Sequence, residues 1–392
     1  MAASCDGSAD GGARATLERD AAPAPPFAES IERFSEPGGY FDTDNLISNE
    51  TSYLHVIGKL EEMGVRGGAY LGVGPDQNFS YIAAVRPEIA FIVDIRRDNL
   101  IEHLLYRAIF RMARTPAEFL RYLFGRPVSA YAAENGVRGD GVQGDGARGD
   151  GARVPEGGAP PPELSVLLDR IAARPPDADT VDAYERRIER IVRSFGVPLS
   201  DADLETLRRF HRAFARVGPA LRFHSFGRAP RSYYPTYRQL ALERDLGGRR
   251  VSFLADTARY RVVRDLEEAG LVIPVVGDLA GAHALREIAR YLEQADIEVS
   301  AFYTSNVEFY LWQAGTFEAF AANVAALPWT PGGVVIRSVF RTFGGLHPHN
   351  IPGYFSTQSL QSARSLIRAM GGGGYASYSD LVTRDAIDPR GR

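Results

Sequence analysis

The order of apolar segments predicts an α/β chain built on a doubly wound, mostly parallel sheet, with helices on both faces and a helical insertion. Three observations predict it. Short apolar runs at 69–73, 89–94, 272–276, 299–304 and 333–339 have the length of buried strands and end in glycine or a polar residue. Stretches with helical spacing separate them, and such alternation implies parallel strands joined by crossover helices. A glycine turn after the first run is followed, about twenty residues on, by an acid ending the second, the order found in nucleotide-binding βαβ units.

In chain order, residues 1–26 are Ala-, Gly- and Asp-rich and predict a disordered tail. Residues 27–130 carry the first part of the sheet domain. The run 69–73, a helical stretch and the run 89–94 form a βαβ unit, and 100–112 places Leu100, Leu104, Leu105, Ala108, Ile109 and Met112 on one helical face. Residues 131–162 repeat Arg-Gly-Asp-Gly units and predict a disordered surface loop. Residues 163–220 form the insertion, with amphipathic helices at 164–172, 181–195 and 201–217 and Ser200 or Asp201 as N-cap of the last. Residues 221–392 return to the sheet, with a short strand at 251–254, helices at 257–269, 282–294 and 317–327, and the remaining three strands between and after them.

Composition bounds the function. The 392 residues are 45% hydrophobic and 24% charged, ordinary values for a globular protein. A formal charge of −4 and a pI near 6.0 provide no field for a phosphate backbone, so nucleic acid is not favoured as a partner. Cys5 is the sole cysteine, which leaves no disulfide, Cys-based metal site or buried thiol nucleophile. Lys59 is the sole lysine, which disfavours imine chemistry. With no signal-like or membrane-length apolar run, a cytoplasmic protein without a membrane partner is expected. The phosphate-loop, His-Glu-x-x-His, Cys-x-x-Cys and Gly-x-Ser-x-Gly patterns are absent. His347-Pro348-His349 is the nearest approach to a metal motif, and a loop with two solvated histidines accounts for it as well.

Ligands of open parallel sheets bind beyond the carboxyl ends of the strands, so the strand ends carry the candidate site. After the first strand, Gly72 and Gly74 allow a tight turn and Pro75 starts a helix; Asp76, Gln77 and Asn78 complete the loop. Asp94 ends the second strand, placed to accept hydrogen bonds from a ribose, with a helix cap or a partnership with Arg96 or Arg97 as its other role. A dinucleotide needs a third glycine where Gln77 stands, and Asp76 sets negative charge beside a pyrophosphate. The methionine part of S-adenosylmethionine suits the loop better, with Asp76 on its ammonium. Asp278 and Leu279 follow the strand at 272–276, where Asp278 holds an adenine amino edge or caps a helix. Ser305, Asn306 and Glu308 end the strand at 299–304, where Asn306 orients an acceptor, Glu308 takes its proton, and Tyr303 or Tyr310 walls the site; a turn asparagine and a solvated glutamate are the alternative. Residues 222–238 mix arginine with phenylalanine and tyrosine and read as a lid, as a surface for an anionic or planar partner, or as aromatic anchors of the insertion to the sheet.

The runs 70–81 (Tyr-Leu-Gly-Val-Gly-Pro-Asp-Gln-Asn-Phe-Ser-Tyr), 86–97 (Arg-Pro-Glu-Ile-Ala-Phe-Ile-Val-Asp-Ile-Arg-Arg), 275–281 and 303–308 resemble a bacterial family similar in fold to class I S-adenosylmethionine-dependent methyltransferases. The resemblance covers 27–126 and 223–341. It implies a Rossmann-like fold, S-adenosylmethionine as cofactor, and methyl transfer to a small molecule or protein side chain. A silent binding protein on that fold ranks second and a nicotinamide oxidoreductase third. The cofactor set comprises Gly72, Gly74, Asp76, Gln77, Asn78, Asp94, Arg96, Asp278 and Leu279, and the catalytic set Ser305, Asn306 and Glu308. Two departures stand out: Tyr70 occupies a position where the superfamily often has an acid, and Asp76 replaces its third glycine.

Overall fold

The computed structural model describes residues 26–43, 45–127, 163–226 and 231–391. The tail and Gly-rich loop expected from composition lie outside these residues, apart from Pro26. The described residues form an α/β structure around a seven-stranded, mostly parallel sheet flanked by helices. In chain order the strands are β1 (Ala69–Gly72), β2 (Ile89–Asp94), β3 (Val272–Val276), β4 (Val299–Ser305), β5 (Trp329–Phe340), β6 (Ser356–Ser362) and β7 (Ala386–Ile387). Their spatial order is β3-β2-β1-β4-β5-β6-β7. The first five run parallel, β6 is antiparallel to β5, and β7 is antiparallel to β6. The chain thus builds outward from β1 in one direction, then restarts at β4 on its other side. Every residue of β1 and β2 is buried, as a strand covered on both faces requires.

Helices α1 (Phe27–Phe34), α2 (Ile57–Glu62), α3 (Gln77–Val85), α4 (Arg97–Met112) and α5 (Pro116–Leu123) precede the insertion. Its three helices, α6 (Leu164–Ala173), α7 (Ala178–Arg193) and α8 (Asp201–Val217), occur where periodicity put them. Ser200 caps α8 through a capping box with Asp203, and Arg97 at the start of α4 ion-pairs with that same Asp203. After it come α9 (Tyr237–Leu242), α10 (Thr257–Ala269), α11 (Ala284–Gln294), α12 (Val307–Ala314), α13 (Phe317–Ala325), α14 (Arg341–Gly344), α15 (Ala363–Gly371) and α16 (Tyr378–Thr383). Helix α10 contacts both α3 and α4; another group runs α1, α11, α13, α15. Among the described residues no helix is long and apolar enough to cross a membrane.

Two elements differ from expectation. Residues 251–254 are a buried turn instead of a strand: Val251 and Phe253 pack into the core while the Phe253 amide donates to the Ser80 hydroxyl of α3 at 3.2 Å. An apolar run reports burial, not extension. Conversely, β6 (Ser-Thr-Gln-Ser-Leu-Gln-Ser) is nearly devoid of apolar residues yet buried along almost its whole length. Several of its polar side chains find internal partners: Ser356 the hydroxyl of Ser52, Gln358 (through Nε2) the carboxyl of Glu50, and Gln361 (through Nε2) the Tyr375 hydroxyl and the Arg384 carbonyl.

Candidate functional site

The turn after β1 is held from inside. Asn78, fully buried on α3, donates through Nδ2 to the carbonyls of Val73 (3.0 Å), Gly74 (3.2 Å) and Pro75 (2.8 Å), and its Oδ1 accepts from the Tyr70 hydroxyl at 2.8 Å. A Cβ on Gly72 would lie 1.9 Å from that Oδ1. Gly72 is therefore glycine to admit the asparagine, not a ligand. Gly74 has φ +86°, open to glycine at little cost, and its carbonyl also meets His103 Nε2 at 2.9 Å. Burial pushes His103 down to about 4, so its imidazole is neutral and the Nε2–H is the donor. Gly72→Ala is expected to cost about 1–3 kcal/mol in urea unfolding, and less in an Asn78→Ala background, where the Tyr70 ring at 2.9 Å is the remaining obstacle. Equal costs in both backgrounds would mean that the asparagine is not what requires the glycine.

Beyond the carboxyl ends of the parallel strands lies a cavity of about 390 Å³. All five strands reach it, through Gly74, Asp94, Gly277, Ser305 and Phe340 at or just past their ends. Two segments outside the sheet cover it, around 40–50 and 223–234. They are joined to each other: Thr43 bridges Ser225, its hydroxyl donates to the His224 carbonyl, and the Phe226 amide donates to the Asp42 carbonyl at 2.8 Å. The walls are aromatic. Phe41 meets Tyr310 edge-on at 5.0 Å, and Tyr233 stacks on Phe355 at 3.6 Å. Within the described part of 222–238, Tyr233 and Tyr234 line the cavity, while Tyr237 packs on Phe124 and on Phe214 of the insertion.

Of the residues expected at the site, the structure brings Gly74, Gln77, Asp94, Arg96, Asp278, Leu279, Ser305 and Asn306 onto this cavity. Asp94 is engaged by Arg96: its Oδ1 accepts from the Arg96 amide (2.9 Å) and Nε (3.0 Å), its Oδ2 from Nη2 (2.8 Å). Arg96 Nη1 continues to the Thr43 carbonyl at 3.1 Å, tying the cover to the end of β2. Asp278 is exposed at the rim, where Oδ1 accepts the Ala280 amide in an Asx turn, and buried Leu279 passes its carbonyl to Asn323. Ser305 has φ +55°, a strained setting for a serine at a strand end, and Asn306 leads into α12.

Four residues are placed elsewhere. Gly72 and Asn78 form the buried turn already described. Asp76 lies behind the turn, in a separate small pocket with Tyr53 and Tyr237, where burial raises its pKa to about 7 against the opposing Tyr237 hydroxyl. Glu308 points into the protein: it is buried, ion-paired with the equally buried Arg337, and accepts from the Thr304 hydroxyl at 3.3 Å. The geometry of α12 dictates this, since Glu308 in its first turn sits over β5 and not over the strand end. Tyr303, proposed as a wall, is fully buried behind Gln77, whose Nε2 donates to its hydroxyl at 3.2 Å.

Sequence reasoning missed Glu50. Its side chain is 1% exposed, yet it borders the cavity. Oε2 accepts from the hydroxyl of Tyr303 and from Gln358 Nε2 (2.9 Å), and Oε1 accepts from the Ser305 hydroxyl. These donors come from β4 and β6, and all are neutral. Burial raises the Glu50 pKa, and the donors only partly oppose it. Nothing in Ser-Asn-Glu-Thr-Ser marks one acid in a loop, because its partners lie 250–310 residues away; the pairing is a product of the fold.

Residues 46–132 and 208–388 match the model of a family described as a domain of unknown function, DUF7790. The chain belongs to this family. No curated protein matches the sequence. The matched segments contain Glu50 and the ends of all five parallel strands, whereas helices α6 and α7 and the cover residues before Leu46 lie outside them. The strand ends that floor the cavity thus fall within the matched segments, and much of the insertion falls outside them. Among the described residues no group of three or more His, Cys, Asp or Glu side chains is arranged to hold a metal ion.

Proposed function

We propose that this chain is an S-adenosylmethionine-dependent methyltransferase on a doubly wound, Rossmann-like sheet, acting on a small molecule or an exposed protein side chain. The observation that supports it is the position of the cavity, across β1 and β4 at the carboxyl ends of the strands, where the chain changes its direction of building. Its volume falls within the usual range of roughly 300–1,000 Å³ for small-molecule sites. The donor set fits the cofactor in a reduced form. Asp94 Oδ1 already accepts two bonds, while Oδ2 accepts one, leaving a single lone pair for a ribose hydroxyl. Gln77 Oε1, a buried acceptor without a protein partner, is available to an ammonium in place of the withdrawn Asp76. Four carboxyl groups (Asp42, Glu50, Asp94, Asp278) border the cavity against two guanidinium groups (Arg96, Arg231). That balance suits a cation and disfavours the diphosphate of a nicotinamide dinucleotide.

The bound cofactor supplies an activated methyl on a sulfonium, which leaves positioning to the protein. Ser305 and Asn306 at the end of β4 hold the acceptor, and Glu50, instead of Glu308, is the carboxyl within reach. One observation favours a second reading, a silent binding protein on the same scaffold: the acid expected to grip the ribose is largely occupied by Arg96. Calorimetry with S-adenosylmethionine, S-adenosylhomocysteine and NAD tests the proposal. Both sulfur nucleosides are expected to bind and NAD is not, with Asp94→Asn weakening the first two about tenfold or more while the variant stays folded. Binding of none of the three overturns it, and binding without methyl transfer to any acceptor in a metabolite or peptide set selects the second reading.

A further inference from the structure

Glu50 is a buried carboxyl surrounded by neutral donors. Tyr303, Ser305 and Gln358 reach it from β4 and β6, and Ser338 of β5 faces it as well. The titratable side chains that feel its charge, Tyr70 on β1, Tyr81 on α3 and Tyr303 on β4, are all held well above their ordinary pKa by burial and remain neutral. No cationic side chain among the described residues pairs with it. A buried carboxylate without a counter-charge is expensive, whereas aligned donors on both oxygens prepare it to carry charge once a counter-charge arrives. The open side is the cavity, which the rings of Phe41 and Tyr310 also line, surfaces that favour a cation. Ser305, held in a left-handed backbone conformation, aims its hydroxyl at Oε1 from the strand end where an acceptor would sit.

We propose that Glu50 is the anionic subsite of the cavity and binds a positively charged group of a ligand, a protonated amine set against the aromatic wall, with the ligand supplying the counter-charge that the protein withholds. The inference rests on the reading of the cavity as the ligand site and names the acceptor class, an amine. The same chemistry is carried by the cofactor's own cationic groups, so the test must separate the two sources.

Calorimetry on wild type and Glu50→Gln does so with four probes: tyramine, its uncharged counterpart para-cresol, S-adenosylmethionine and S-adenosylhomocysteine. Tyramine is expected to bind the wild type and to lose about tenfold or more in Glu50→Gln, with para-cresol unchanged. A loss confined to S-adenosylmethionine, whose sulfonium charge S-adenosylhomocysteine lacks, assigns Glu50 to the sulfonium, and a loss shared by both assigns it to their common α-ammonium; either keeps Glu50 as the cation subsite and places the cofactor there. Cation affinities equal in the two proteins, or no binding of either cation to the wild type, overturn the inference. Should S-adenosylmethionine fail to bind while tyramine binds in a Glu50-dependent way, the methyltransferase reading falls and the cation subsite stands. A measurement on the wild type alone guards against a misfolded variant: burial holds the Glu50 carboxyl above its ordinary range and a bound cation favours its ionised form, so tyramine binding is expected to strengthen as pH rises. Asp76 is a second raised acid but faces Tyr53 and Tyr237, and Asp76→Asn is expected to leave this pH dependence intact. Tyramine binding that weakens as pH rises toward neutrality would also overturn the inference.

Discussion

Asp76→Asn is expected to stabilise the protein in mildly alkaline solution and to do little in acid. The carboxyl is buried behind the β1 turn beside Tyr53 and Tyr237, and burial raises its pKa from 3.8 to about 7. Its folded pKa exceeds its unfolded one, so between about pH 4 and pH 7 the folded state holds a proton that the unfolded state has released. Stability therefore falls across that window as pH rises, and above it the fold carries the full cost of a buried charge. At about 1.4 kcal/mol for each pH unit, the gap amounts to an upper bound on the order of 4 kcal/mol. Asparagine has the shape of the protonated acid and never ionises. No cap is lost, because the Asp76 side chain makes no capping hydrogen bond to α3. Urea midpoints for the two proteins are expected to diverge through this window and then run parallel. Curves that stay parallel throughout would show that Asp76 is solvated. Comparing variant with wild type also removes the contribution of Glu267, another buried acid raised to about 8.

The order and type of the sheet elements were legible because β1 to β5 are buried on both faces, and a doubly covered strand writes itself into the sequence as a continuous apolar run. β6 was illegible for the complementary reason. Its glutamines and serines are buried against Glu50, Ser52 and Tyr375, and a strand stabilised by polar partners has no hydrophobic signature. The site divides along the same line. Gly74, Gln77, Asp94, Arg96, Asp278, Leu279, Ser305 and Asn306 follow from topology alone, since loops after parallel strands converge. Glu50 depends on contacts across 250–310 residues, and no local pattern encodes those. Side-chain direction was equally hidden. Sequence position put Asp76 and Asn78 at the start of α3, but only packing decides that Asn78 turns inward to staple the loop while Asp76 turns toward Tyr237.

Glu308 makes the second large prediction, and it separates structural from functional roles. Sequence position alone made it a proton acceptor at the end of β4. In the fold it is ion-paired with Arg337, both side chains 2% exposed, and the Thr304 hydroxyl is a further partner. Removing one member of such a pair leaves the other buried and uncompensated, and that typically costs about 3–5 kcal/mol. Glu308→Gln is accordingly expected to lose stability of that order in urea unfolding while S-adenosylmethionine affinity stays within about twofold of wild type at a temperature where both are folded. The paired change Glu308→Leu with Arg337→Met is expected to recover much of the loss, since desolvating two charges offsets much of what their attraction returns. A Glu308→Gln protein of unchanged stability with weakened binding or turnover would restore the carboxyl to the site. Because Arg337 Nη1 and Nη2 make no hydrogen bond to protein, the guanidinium depends on this one carboxylate. That dependence is why the loss should be large for a pair so far from solvent, and why it should be insensitive to salt.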